Sequence, residues 1–97
     1  MYTAETNQIE AWKAEHGDVF RFSSKKYDKA AYFRKPTRKE MSYISQIKDG
    51  VKFNEALLKT CYLGGDKDIQ SNDDIFMGLG ETLLGLLTFD TVDLEKL

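Results

Sequence analysis

Apolar residues recur at helical spacing over most of the chain and alternate with polar residues over one short stretch near the N-terminus. The first helix is predicted over residues 3–16, where Ile9 and Trp12 lie three positions apart and Gly17 follows as a C-cap residue would. The whole pattern predicts a mostly helical α+β fold in one small domain, residues 1–97. Its predicted order is an N-terminal helix, one β-hairpin and then about three helices.

The alternating stretch predicts the β-hairpin. Residues 19–22 form the first strand, with Phe20 and Phe22 on one face. Residues 23–26 supply a polar turn, and residues 30–34 form the second strand. A lone hairpin is only marginally stable in water. We therefore expect its apolar face to pack against the surrounding helices.

A capping box marks the start of the next helix. Pro36 ends the second strand, and Thr37 stands three residues before Glu40. In this arrangement the threonine oxygen accepts a hydrogen bond from a free helix N–H, while the glutamate accepts one from the N–H of the cap residue. The helix is predicted from Arg38 to about Asp49. Its apolar stripe consists of Met41, Ile44 and Ile47.

Two further helices are predicted in the second half of the chain. One covers about residues 52–62 and ends before the glycine pair at 64 and 65. Residues 66–74 form a polar loop with a short extended piece around Ile69, and the last helix runs from there to about Leu87. The apolar face of that last helix consists of Ile75, Phe76, Leu79, Leu83, Leu86 and Leu87.

Glycines inside the last helix require an explanation, because a glycine in a helix costs about 1 kcal/mol relative to alanine. Gly78 and Gly85 lie seven residues apart, which is about two helical turns. This spacing predicts that another helix approaches the last helix closely at these two glycines. That helix belongs either to the same chain or to a neighbouring subunit, and the second alternative makes both glycines candidate partner-binding residues.

Charge is distributed in two poles, although the net charge is only −2. Residues 19–39 carry eight basic side chains against one acid, and residues 64–97 carry eight acids against two lysines. Such poles either attract each other within one chain or bind charged partners, including further copies stacked head to tail. The candidate partner-binding residues of the basic pole are Arg34, Lys35, Arg38 and Lys39.

The residue types that carry chemistry are scarce. His16 and Cys61 are the only histidine and the only cysteine, so catalytic triads and zinc clusters have too few members. The acidic run after the glycine pair departs from the EF-hand at its fifth, sixth and twelfth positions, which hold Gln70, Ser71 and Met77. The sequence therefore predicts a protein that is not an enzyme and binds no metal or cofactor.

Several features favour a cytoplasmic location. The first residues show neither the basic nor the apolar region of a signal peptide. No apolar run approaches the roughly 18 residues that a membrane span needs. The single cysteine cannot form an internal disulfide, which is typical of a reducing compartment.

Nucleic-acid binding is an alternative function for the hairpin, where aromatic and basic residues are interleaved. Such a surface can follow a phosphate backbone while bases stack on the rings. A pI near 5.4 and a negative net charge argue against it. A domain of this size also needs its aromatic residues for the core.

Two segments resemble the phage and prophage tail assembly chaperones. These are the strand-to-helix joint at residues 33–40, FRKPTRKE, and the helix end at residues 54–66, NEALLKTCYLGGD. The resemblance extends over about residues 18–88. In that family a short chaperone, often accompanied by a longer frameshifted form, coats the tape-measure protein and helps the tail-tube subunits assemble.

The resemblance implies a non-enzymatic protein that binds a tape-measure or tail-tube client in the bacterial host, with no cofactor. A homo-oligomer is compatible with it. The first alternative is a virion structural protein or a general protein-interaction module. The second alternative is a nucleic-acid-binding accessory protein that uses the basic hairpin.

Overall fold

The structure, a computed structural model, describes residues 1–97 and confirms the predicted α+β class. The N-terminal helix, the hairpin and the helices after it follow in the predicted order. The helices are α1 (Thr6–His16), α2 (Arg38–Ile44), α3 (Gly50–Cys61), α4 (Asp68–Ser71), α5 (Asp73–Leu79) and a 3₁₀ helix (Gly80–Leu87). The strands are β1 (Val19–Ser24), β2 (Lys29–Arg34) and β3 (Tyr62–Gly65).

The sheet is antiparallel and its strand order is β1-β2-β3, so β1 and β3 are edge strands. The hairpin register pairs Phe20 with Phe33 and Phe22 with Ala31, which places these four residues on one face. β3 is not predicted from the sequence, where its two glycines indicate only the end of a helix. It follows α3 directly and pairs with β2, with a register shift between Tyr32 and Phe33.

One face of the sheet forms the hydrophobic core with the helices that follow it, as expected for the hairpin. Phe33 on the sheet and Leu57 and Leu58 on α3 are fully buried. The predicted apolar face of the last helix is also confirmed, because Ile75, Leu79, Leu83 and Leu86 are buried in the same cluster. The core therefore lies between the sheet, α3 and the C-terminal helices.

The opposite face of the sheet is covered by α1 and the residues that precede it. Tyr32 lies at its centre and is 5% exposed. Its hydroxyl accepts a hydrogen bond from the Ala4 N–H at 3.2 Å, and the Trp12 ring centroid is 5.6 Å from that of Tyr32. A Cβ added to Gly64 would lie 3.1 Å from the indole. Glycine at this position therefore leaves room for the Trp12 side chain of α1.

The α2 helix is shorter than predicted. It ends at Ile44, whereas the sequence predicts an end near Asp49. Asp49 instead caps α3, because its carboxylate accepts a hydrogen bond from the Lys52 N–H at 2.9 Å. The aspartate therefore begins the next helix rather than ending the previous one.

Two predictions for the C-terminal half are wrong in detail. The segment around Ile69 is the short helix α4 rather than an extended piece, and its isoleucine is fully buried under the sheet. The last helix is not continuous to Leu87, because Gly80 has φ +43°. This positive φ favours glycine and ends α5 at Leu79, after which the chain continues as the 3₁₀ helix.

Candidate partner-binding surface

The joint between β2 and α2 is built on a network that centres on Glu40. The capping box is present: Thr37 N–H donates to Glu40 Oε1 at 2.8 Å, and Glu40 N–H donates to Thr37 Oγ1 at 3.2 Å. Arg34 binds both oxygens of the same carboxylate, at 2.8 and 2.9 Å, and also donates to the Thr60 carbonyl at 3.0 Å. Arg34 therefore ties β2, α2 and α3 together.

The charges of this network hold each other in their ionised forms. The hydrogen bonds from Arg34 lower the pKa of Glu40 from 4.5 to about 2, and the same contact raises the pKa of Arg34. Cys61 lies under the network, and burial raises the pKa of its thiol to about 11. Arg34 is 15% exposed, so it stabilises the joint rather than offering a free charge to a partner.

Lys35 is also engaged within the chain. Its Nζ atom lies 3.2 Å from Asp18 Oδ2. The same ammonium group is 5.8 Å from the ring centroid of Phe20 and 5.7 Å from that of Phe89. At these distances a cation interacts favourably with an aromatic ring.

Arg38 and Lys39 are the two predicted basic site residues that remain available. Both are exposed on the first turn of α2, and neither has an ion-pair partner within 4.0 Å. Lys39 lines an open groove of about 670 Å³ together with Tyr43, a residue that is 76% exposed. We call Arg38, Lys39 and Tyr43 the α2 surface. Other residues that line this groove include Thr37, Ser42, Gln46 and Thr60.

The two charged poles meet within the chain at the tip of the hairpin. Lys26 Nζ lies 3.0 Å from Asp74 Oδ2, and Lys29 Nζ lies 3.7 Å from Asp68 Oδ2. The Tyr27 hydroxyl donates to Asp74 at 2.7 Å and is the main cause of the lowered pKa of that carboxyl. Much of the basic pole is therefore neutralised by nearby carboxylates. For this part of the surface, the two poles attract each other within one chain rather than being free to bind a charged partner.

Gly78 and Gly85 are not approached by another helix of the same chain. A Cβ added at either position would have no atom within 4 Å. The intrachain alternative for these two glycines is therefore wrong, and only an approach from a neighbouring subunit stays a prediction. Gly78 instead borders a second groove, beside β1, and does not line the groove of the α2 surface.

The α2 surface could be predicted only in part. Sequence charge identifies Arg38 and Lys39 but not Tyr43. The available signal for Tyr43 is its position on α2, off the apolar stripe of Met41, Ile44 and Ile47. An aromatic residue outside the apolar stripe of a helix is directed towards solvent.

Nowhere do three or more His, Cys, Asp or Glu side chains converge as a metal site requires. No helix combines the length and the apolar character needed to cross a bilayer.

Comparison of the chain with models of protein families, with curated proteins and with solved structures gives no match.

Proposed function

We propose that this chain is a non-enzymatic protein-binding domain that acts as an assembly chaperone of the phage or prophage tail type. Its clients are a tape-measure or tail-tube protein, held in the cytoplasm of a bacterial host until assembly. The α2 surface is the binding site. The proposal also draws on the resemblance of the β2–α2 joint and the α3 end to that family.

The exposure of Tyr43 beside the unpaired Lys39, in one groove, carries this proposal. Aromatic and arginine side chains are enriched at protein interfaces, where they contribute a large share of the binding energy. Tyr43 is 76% exposed, although most of the chain's other aromatic rings are at least half-buried. Lys39 lines the same groove as Tyr43, and Arg38 precedes Lys39 in the first turn of α2, so the surface suits a client segment that combines apolar and acidic residues.

Nucleic-acid binding is less well supported by the same contacts. The hairpin aromatics Phe22, Tyr32 and Phe33 are buried and cannot stack on bases. Of the eight basic residues in 19–39, only Lys25, Arg38 and Lys39 lack a hydrogen-bond or ion-pair partner in the chain. Too few free cations remain on the hairpin to follow a phosphate backbone.

Co-expression with the proteins encoded by neighbouring genes tests the proposal. The gene should lie between those for a tail-tube and a tape-measure protein, and the chain should co-purify with one of these two products. The triple variant Arg38→Glu, Lys39→Glu, Tyr43→Ala should lose at least about tenfold in affinity, because hot-spot residues typically contribute 2 kcal/mol or more. Lys25→Glu is the matched control, since Lys25 is also exposed and unpaired, but lies in the hairpin turn.

A triple variant that binds its client as tightly as the wild type would overturn the assignment of the surface. A wild type that binds neither product would overturn the chaperone proposal. Mass spectrometry of purified particles separates the remaining alternative, because a virion structural protein stays in the finished particle and a chaperone does not.

A further inference from the structure

The outer edge of β1 is open. β1 lies at the edge of the sheet and pairs only with β2. An unpaired edge presents N–H and C=O groups that can pair with another strand, and proteins usually cover or disrupt such edges. β1 contains no proline, and the one charged side chain within it is Arg21. Its edge is therefore competent to accept an additional strand.

A groove of about 410 Å³ runs along this edge. Arg21 and Phe22 both line it, although they point to opposite faces of the sheet. The groove therefore follows the strand edge rather than one face. Its far wall is α5 and the start of the 3₁₀ helix, where Gly78 leaves the wall open because it has no side chain.

Residues 88–97 have the properties of a strand without a partner. They form no regular secondary structure and are exposed throughout. Val92 is 83% exposed and Leu94 is 100% exposed. From Thr91 to Glu95 the sequence TVDLE alternates strictly between polar and apolar residues, which is typical of a half-buried strand.

We propose that residues 91–95 of a second copy of this chain pair with the β1 edge as a fourth strand. With Val92 and Leu94 on the core face beside Phe22, the alternation places Asp93 on the opposite face, where Arg21 lies. Apolar and opposite-charge cross-strand pairs both stabilise a sheet. Reciprocal exchange between two copies gives a closed, two-fold symmetric dimer.

Charge complementarity supports this occupant. Residues 88–97 carry three carboxylates against one lysine, whereas β1 and the turn that follows it carry Arg21, Lys25 and Lys26 against Asp28. Lys26 is already paired with Asp74, so Arg21 and Lys25 are the cations available to the added strand. Phe89 lies beside Lys35, and the residues after it are exposed and do not line the groove of their own chain. The inference does not depend on the proposed client, because the α2 surface shares no residue with this groove.

Sedimentation velocity on the full chain over a range of concentrations tests the strand exchange. The wild type should dimerise in a concentration-dependent manner. The variant Val92→Asp, Leu94→Asp should raise the dimer Kd by at least about tenfold, because two apolar side chains are lost from the added strand. Leu97→Asp is the matched control, since it makes the same kind of change in the same exposed segment, but outside the alternation, and should dimerise like the wild type.

A charge swap tests the register. Arg21→Glu and Asp93→Arg should each weaken the dimer about two- to fivefold, as expected for an exposed ion pair. The double variant should regain most of the lost affinity. Circular dichroism checks that each variant keeps its fold. Arg21→Glu also removes the hydrogen bond from Arg21 to the Tyr2 carbonyl. Recovery of affinity in the double variant would therefore show that the cross-strand ion pair, and not this hydrogen bond, stabilises the dimer.

Three results would overturn the proposal. The first is a wild type that stays monomeric at sub-millimolar concentration. The second is a dimer that is unaffected by Val92→Asp, Leu94→Asp. The third is protection of β1 amides from hydrogen exchange that depends on residues 91–95 but not on concentration, because the segment would then pair with its own chain.

Discussion

Arg34 and Glu40 form a two-pronged ion pair across the joint between β2 and α2, with both guanidinium–carboxylate distances below 3 Å. The same carboxylate completes the capping box with Thr37. A single glutamate thus determines how α2 starts and how it is fixed to the sheet. Because its guanidinium group is bound to Glu40, Arg34 is not available to bind a partner.

Stability should depend on pH through Glu40. Its pKa is about 2 in the folded chain and near 4.5 without its partners. Because folding lowers this pKa, the stabilisation is fully present above pH 4.5 and is lost as the pH falls from there towards 2. Urea denaturation midpoints of the wild type, measured across this window, should fall more steeply than those of Glu40→Gln.

At neutral pH, Glu40→Gln should itself cost about 1–3 kcal/mol of unfolding free energy, since Arg34 loses a charged partner. Glutamine still fits the capping box, so the loss reports the ion pair. Glu55→Gln, an exposed change on α3, should be nearly neutral. Equal effects of the two variants would contradict the assigned role of Arg34.

The capping box itself predicts the effect of Thr37→Ala. We expect a loss of about 0.5–2 kcal/mol, because the N–H of Glu40 loses its acceptor at the start of α2. Thr37→Ser keeps the oxygen and should retain most of the stability. An unchanged denaturation midpoint for the alanine variant would mean that the joint does not stabilise the fold.

Two glycines should respond to alanine in opposite directions. Gly78 lies within α5 with nothing near its missing Cβ, so Gly78→Ala should stabilise the chain by up to about 1 kcal/mol. Gly65 has φ +113°, and a Cβ there would lie 2.7 Å from the Ala30 carbonyl oxygen. Gly65→Ala should therefore cost about 1–3 kcal/mol. The melting temperatures of the two variants provide the comparison. A lower melting temperature for Gly78→Ala would contradict the conclusion that this face of α5 is free of contacts.

Cys61 should be almost inert in the native protein. It is fully buried, and its thiol pKa of about 11 leaves little thiolate at pH 8. Reaction with a thiol-specific disulfide reagent should therefore be slow until urea unfolds the chain. Rapid native reaction at pH 8 would show that α3 opens locally at Cys61.

Local patterns were sufficient to predict the hairpin, the capping box and the apolar face of the last helix. Each depends on residues that are close in sequence, such as Thr37 and Glu40. The strand β3 was missed because its only ladder is with β2, about thirty residues earlier. The break at Gly80 was missed because an apolar face continues through it from Leu79 to Leu83.

The candidate site is harder to predict than the fold, because the charged residues of a segment do not indicate which of them form ion pairs in the folded chain. Arg34 and Lys35 carry the same charge as Arg38 and Lys39, yet the first two have carboxylate partners in the chain. The partner of Lys35 is Asp18, seventeen residues away. Only the three-dimensional arrangement separates anchoring cations from available ones.

The attachment of α1 has a consequence for how this domain opens. None of its residues is buried, and Trp12 is its main apolar contact with the sheet. The helix can therefore detach at a lower free energy than global unfolding requires, as a separate cooperative unit. Trp12 is the only tryptophan, so its fluorescence gives an optical signal for this first step, while far-UV circular dichroism follows the loss of the remaining helices.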